Sequence, residues 1–235
     1  LIVDFEKAIT RSVSMTKKVL FVLTSTSQFP DGTQTGLWLE EASVPYQVLT
    51  EADIDVDVVS IEGGEVPIDD NSTQNNELET YKQFVDLIQD VPALNLVNTA
   101  EYDAIYLPGG HGTVFDFANN PQLSDILLSF KEDNKFIASV CHGPSAFVGA
   151  KDKQGNSLIN NMTLTSFTDE EERQMGFEEQ VPFLTQTALQ DLGANFKAAE
   201  AFSSHVETDG QLITGQNPQS SQAVGEALRD ALLSQ

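Results

Sequence analysis

Cysteine occurs once in this 235-residue chain, at Cys141. That excludes an intrachain disulfide and leaves any thiol chemistry to one side chain. Basic residues are scarce too: 12 Lys plus Arg stand against 36 Asp plus Glu, a formal net charge of -24. Such a surface repels phosphate backbones and anionic headgroups, so neither nucleic acid nor a membrane is expected as a partner. The acids are scattered rather than gathered into a tail, as on a solvated face. No apolar run approaches the roughly 20 residues of a membrane span. The opening LIVDFEKAITRSVS lacks a cationic start, a continuous apolar block and a small-residue cleavage site. It is not read as a signal peptide, and cytoplasm is the default location. Residues 1–14 precede the first methionine, Met15, and are read as an upstream extension, native or not. A single domain is expected over residues 15–235.

What is present is an alternation of two periodicities. Val19–Leu23 and Phe136–Val140 are short continuous apolar runs, the pattern of strands buried on both faces. Asp55–Ser60, Ala104–Leu107, Met162–Leu164 and Leu212–Thr214 read as further strands. Helical spacing is predicted over Gly36–Thr50, Glu77–Gln89, Leu123–Phe130, Pro182–Leu192 and Ser220–Leu233. Strands alternating with helices predict an α/β fold, a mostly parallel sheet covered on both faces. In such sheets the site lies at the carboxyl ends of strands.

Two of those ends carry chemistry-bearing residues. After Phe136–Val140 come Cys141-His142-Gly143-Pro144, placing a thiol on a sharp strand-to-helix turn, a nucleophile elbow. A helix starting there would aim free N–H groups at the sulfur and lower its pKa. Gly143 suits a close backbone passage and Pro144 a first helical turn. After Ala104–Leu107 comes Pro108-Gly109-Gly110-His111-Gly112, whose backbone N–H groups suit an oxyanion hole. His111 there is either a pocket residue or a solvated turn residue.

Helical phase distinguishes two adjacent glutamates. Leu37, Glu41, Val44 and Val48 share an apolar stripe, whereas Gly36, Glu40, Ser43 and Gln47 share a polar one. Glu41 is therefore expected to be buried with a raised pKa, able to hold and exchange a proton beside the thiol, and Glu40 to face water. The acidic segment Phe167-Thr168-Asp169-Glu170-Glu171-Glu172-Arg173 offers four acids to orient a histidine, or is simply a solvated helix start.

Together these segments resemble the ThiJ/PfpI superfamily, related in fold to the class I glutamine amidotransferases. The likeness runs from Lys17 nearly to the C-terminus. It rests on Thr35–Ala42 with Pro45, Pro108–Gly112, Ala138–Pro144, Ser166–Glu172, Val181–Leu184 and Leu212–Pro218. Gly-Gly-His-Gly paired with Val-Cys-His-Gly-Pro is similar to the heat-shock chaperone and glutathione-independent glyoxalase branch. The resemblance implies a flavodoxin-like sandwich and conversion of methylglyoxal, or a related 2-oxoaldehyde, to a 2-hydroxy acid. It implies Cys141 as nucleophile with His142 beside it, Glu41 as proton shuttle and Glu172 as triad acid, with Asp169 the alternate. Gly109, Gly110 and His111 would form the oxyanion and substrate-binding turn. A homodimer without a cofactor is implied. Some chaperone relatives bind zinc through two histidines and a carboxylate, but with only His111, His142 and His205 available, no metal is expected. A cysteine amidase or peptidase, or a chaperone and thiol sensor, are the alternative readings.

Overall fold

The structure is a computed structural model that describes residues 15–235; the expected extension, residues 1–14, lies outside them. In chain order the regular elements are β1 (Lys18–Leu23), α1 (Leu39–Glu51), β2 (Asp55–Ser60), α2 (Glu77–Thr80), α3 (Lys82–Leu87) and β3 (Ala104–Leu107). There follow α4 (Thr113–Asp116), α5 (Pro121–Glu132), β4 (Phe136–Val140), β5 (Thr163–Leu164), α6 (Asp169–Met175) and α7 (Thr185–Asp191). The chain ends with β6 (Asn195–Phe196), β7 (Val206–Asp209), β8 (Leu212–Gly215) and α8 (Ser221–Leu233).

The main sheet has six strands in the order β2-β1-β3-β4-β8-β7. All neighbours pair parallel except β7 with β8, which pair antiparallel at the edge. Alternation along β1 explains its unbroken apolar run. Val19, Phe21 and Leu23 enter one core, whereas Leu20 and Val22 enter the other. The first core is closed by Leu49 of α1 and by Val224, Leu228 and Leu232 of α8. The second is closed by Leu123, Ile126, Leu127 and Phe130 of α5 with Leu189 of α7. With helices on both faces, the inner strands β1, from Val19 onward, and β3 are apolar at every position, whereas the edge strand β2 opens with the alternation Asp55-Val56-Asp57-Val58. Among the described residues no helix is long and apolar enough to cross a membrane.

Several expected elements are altered. The helix predicted over Glu77–Gln89 breaks at Tyr81 into α2 and α3. The helix predicted after Cys141 is a five-residue 3-10 turn, Gly143–Phe147, rather than an α-helix. The antiparallel edge strand β7 went unpredicted, because Val206–Asp209 holds only one large apolar residue. Nor does the polar stripe of α1 face water throughout: Gly36 and Ser43 are buried and Glu40 half-buried, leaving only Gln47 exposed. Sequence polarity marked that stripe, but the Pro67 carbonyl lies over Gly36, and Thr80, Tyr81 and Phe84 stand beside Ser43. Leu37 N–H donates to the Pro67 carbonyl and Leu39 N–H to Ser72 Oγ, while Gly225 of α8 packs on Pro45.

Candidate active site

The carboxyl ends of β3 and β4 lie side by side, with Leu107 opposite Ser139 in register. Sequence reasoning had singled out both ends, and parallel pairing joins them. Cys141 follows β4 with φ 60°, a left-handed backbone angle that costs a non-glycine residue about 1–3 kcal/mol. Two bonds hold it there: its N–H donates to the Gly215 carbonyl at 3.0 Å, and its carbonyl accepts from Phe167 N–H at 2.9 Å. The strained elbow expected from the sequence is present. Beneath it, a Cβ on Gly143 would lie 2.2 Å from the Leu107 carbonyl oxygen, so only glycine lets the chain pass.

The thiol does not behave as expected. Burial pushes the Cys141 thiol well above its ordinary pKa, and the acidic groups Glu41, Glu171 and Glu172 around it add to the shift. The depressed pKa predicted from a helix N-terminus is thereby corrected: a single 3-10 turn aligns too few peptide dipoles to offset desolvation of a thiolate. Activation has to come from a base. His142 supplies the geometry, with Nδ1 3.4 Å from Cys141 Sγ and Nε2 2.5 Å from Glu172 Oε2.

Glu172 joins both histidines. Its Oε1 lies 2.5 Å from His111 Nε2, and both rings are almost fully buried. Burial opposes ionisation of Glu172, yet His142 and His111 outweigh it and hold the carboxyl well below the usual carboxylate range. Burial and the neighbouring His142 push His111 down, with Glu172 pulling the other way. An ionised Glu172 is acceptor-only, so each histidine carries its proton on Nε2, and His142 Nδ1 turns a lone pair toward the sulfur. The alternate acid, Asp169, instead accepts from Thr187 Oγ1 at 2.5 Å. His111, left open by the sequence, thus positions Glu172.

His111, His142 and Glu172 place ligand-type atoms within 4.8 Å of one another, so the two-histidine, one-carboxylate grouping for which three histidines had looked too few is present. Its spacing fits a hydrogen-bonded relay. Neighbouring donors on a tetrahedral zinc with bonds of about 2 Å lie about 3.3 Å apart. The 2.5 Å contacts here are hydrogen-bond contacts from each imidazole to one oxygen of Glu172.

Glu41 is completely buried, as its stripe predicted. Its Oε1 accepts from Gly109 N–H at 2.8 Å, and a Cβ on Gly109 would lie 2.7 Å from that oxygen, so glycine is required for the approach. Because that N–H is committed to Glu41, Gly109 is not an oxyanion donor, which corrects the role expected for it. Gly110, next along the turn, lines the cavity with His111. Glu41 Oε2 is buried with no hydrogen-bond partner in the protein. Burial pushes the Glu41 carboxyl well up, and the charges of Glu40 and Asp69 reinforce this. Burial thus favours the protonated form of the acid against the Cys141 thiol, with Oε2 the oxygen free to carry the proton.

Sequence reasoning missed the devices that hold these groups. Pro45 has no N–H to offer the Glu41 carbonyl one turn back, and Tyr106 Oη donates to that carbonyl at 2.5 Å instead. Glu171, taken only as one acid in a run, caps α6 and accepts from Phe202 N–H at 2.8 Å and Asn217 Nδ2 at 2.9 Å. It ties the Glu172 helix to the cavity wall. A Thr-x-x-Glu capping box, Thr168 with Glu171, was the available signal.

The model of the DJ-1/PfpI family matches residues 34–230. The chain belongs to the DJ-1/PfpI family. Among its family relatives, the glutathione-independent glyoxalase HSP31 of Saccharomyces cerevisiae is 32% identical over 233 residues, covering 92% of this chain and 98% of that protein. The crystal structure of glyoxalase III from Candida albicans superposes with a TM-score of 0.82 at 28% identity, over 92% of this chain and 97% of that one. The Rapid Encystment Protein 24 kDa of Francisella tularensis gives a TM-score of 0.88 at 36% identity, over 92% and 99% of the two chains. As a DJ-1/PfpI protein, the chain carries the family's α/β sandwich with its cysteine at the elbow.

Proposed function

We propose that this DJ-1/PfpI protein is a glutathione-independent glyoxalase, a lyase converting methylglyoxal or a related 2-oxoaldehyde to a 2-hydroxy acid. The observation that carries this reading is the buried Glu41 carboxyl, with one oxygen unpartnered, against the only thiol. A hydrolase needs an orienting triad alone; an acid kept neutral beside the nucleophile adds a proton shuttle between adjacent carbons.

His142 Nδ1 takes the Cys141 proton as Sγ bonds to the aldehyde carbon, and the former carbonyl oxygen takes the proton of Glu41 Oε2. The backbone N–H groups of Gly110 and His142 stabilise the developing charge on that oxygen. Glu41, now a carboxylate, removes the hydrogen from the hemithioacetal carbon while His142 gives its proton to the second carbonyl oxygen, leaving an enediol and a neutral imidazole. Glu41 returns the hydrogen to the neighbouring carbon and takes back the hydroxyl proton from the sulfur-bearing carbon, giving a thioester of the 2-hydroxy acid and restoring the protonated acid. Water, deprotonated through His142, breaks the carbon–sulfur bond and restores the thiol. The net change is aldehyde plus water to hydroxy acid, with no outside oxidant. Glu172 steadies the His142 imidazolium during both proton transfers, and His111 holds Glu172.

The same reading makes the protein a cytoplasmic homodimer, which sedimentation velocity tests. For the activity, lactate is measured from methylglyoxal without glutathione, in wild type and Cys141→Ala. Turnover in wild type and none in the variant is expected. Wild type that forms no lactate from methylglyoxal, or from phenylglyoxal the matching hydroxy acid, overturns it.

A further inference from the structure

The cavity above Cys141 has a volume of about 250 Å³ and two kinds of wall. Trp38, Phe167, Met175 and Phe202 give it apolar sides, and Glu40 and Glu77 stand among its lining. No lysine or arginine lines it among the described residues. Both glutamates are partly exposed, as groups at a mouth are. Asn75 N–H donates to Glu77 Oε2 at 2.6 Å, which holds that carboxylate in place at the first residue of α2. Glu40 and Glu77 are close enough to repel: after burial, the Glu77 charge is what pushes the Glu40 carboxyl up. Helical phase alone had sent Glu40 to water, yet the tertiary structure makes it part of the entrance.

We infer that Glu40 and Glu77 make this entrance charge-selective, admitting uncharged 2-oxoaldehydes to Cys141 and excluding those that carry a carboxylate or phosphate. The inference rests on the glyoxalase reading for its substrates, but its physical content is independent of turnover. A substrate bearing an anionic group finds two carboxylates and no cation to pair with, and the apolar walls deny it hydration. A low-dielectric cleft lined by one sign of charge focuses the field along the path to the sulfur. An uncharged aldehyde with a methyl or aryl group loses nothing at the mouth and gains contact with the aromatic walls. Two features already described sharpen the effect. The resting nucleophile is a neutral thiol beside a neutral acid, so the acids at the entrance dominate the charge an incoming anion meets. Of the deep carboxylates, Glu172 is tied to two histidines, and Glu171 accepts from Phe202 N–H and Asn217 Nδ2.

Because Cys141 is the only cysteine, its alkylation reads the entrance directly. Second-order rates with uncharged iodoacetamide and anionic iodoacetate are compared with those of 2-mercaptoethanol, a neutral thiol with no protein around it. The preference of wild type for iodoacetamide should exceed that of 2-mercaptoethanol by about tenfold, since one unit charge about 7 Å away weighs about threefold even at the dielectric of water. Glu40→Gln and Glu77→Gln should each reduce the excess about threefold, and Glu40→Lys should abolish it. Raising sodium chloride should shrink the excess in unaltered wild type, an arm that depends on no variant folding. A wild-type preference equal to that of 2-mercaptoethanol overturns the inference. So does an excess that persists in the doubly substituted protein, which would assign it to the overall charge of -24. Failure of the glyoxalase reading would register separately, as absence of lactate with these alkylation ratios intact. With turnover present, the same variants should move the ratio of kcat/KM for phenylglyoxal over 4-carboxyphenylglyoxal in the same direction.

Discussion

Glu41 and Glu172 are both buried glutamates at the Cys141–His142 pair, and their surroundings drive them in opposite directions. Glu41 meets one backbone N–H and two further acids, so burial decides and the carboxyl stays neutral. Glu172 meets two imidazoles, and they outweigh the same burial. Depth in the fold therefore does not assign protonation; partners do. In the proposed mechanism two carboxyls pushed apart in this way divide the labour, one supplying a proton and the other a fixed negative charge.

The sharpest way to break the contrast is to remove the proton of Glu41. Glu41→Gln is nearly isosteric with the protonated acid and should lower kcat by about 10³-fold, within the range for general acid–base groups. A kcat within tenfold of wild type would end the shuttle role. The variant also tests the raised pKa. The native state holds a proton at Glu41 that the unfolded chain releases above about pH 4.3, so wild type loses stability as pH rises from there toward the folded pKa. The Gln variant lacks that slope. Its melting temperature relative to wild type should therefore increase from pH 5 to pH 9, as calorimetry can measure.

Glu172→Gln attacks the other side. An amide accepts from one histidine and presents a donor to the other, so a loss of about 3 kcal/mol is expected, as for a broken buried charge network. A fall in kcat of about 10²-fold should accompany it. Here the sign with pH reverses. The lowered pKa stabilises the fold above the ordinary carboxylate value and is lost on acidification, so the two proteins should converge as pH drops below about 4. Urea unfolding at pH 7 and at pH 3.5 measures this, and a gap that widens in acid would contradict an ionised Glu172.

A smaller effect probes how Glu41 is held. Tyr106→Phe leaves the Glu41 carbonyl without a donor, since Pro45 cannot supply one. A loss of about 1–2 kcal/mol is expected. Turnover should fall by up to about tenfold with KM unchanged, because a misplaced shuttle affects the step after binding. Restoring an ordinary helix bond with Pro45→Ala in the Tyr106→Phe background should recover part of kcat. The smallest effect is expected at Asp169, which bonds Thr187 rather than a histidine. Asp169→Asn should cost about 0.5 kcal/mol at the helix N-terminus and leave kinetics untouched. A dead enzyme there would shift the triad acid from Glu172.

Particular residues show where local reading stopped. The β1 and β4 strands were legible because burial on both faces leaves continuous apolar runs. The break at Tyr81 was not, because Leu78, Tyr81, Phe84, Val85 and Ile88 keep one helical period across it. Cys141, His142 and Gly110 were found because strand ends in parallel sheets are where sites form. Glu172 could be chosen over Asp169 only by resemblance, since both sit in the same acidic turn, three residues apart and so on nearly the same helix face.

What the sequence determined by itself is the alternation of elements, the single thiol on its elbow, and the inward face of Glu41. Each is a matter of period and spacing along one segment. Only the tertiary structure decided the rest: that Glu172 meets both histidines, that Glu40 reaches the entrance, and that the thiol is raised rather than lowered. Those depend on which side chains from distant segments share a low-dielectric space, and the energy of a charge there is set by its neighbours rather than by its own stretch of chain.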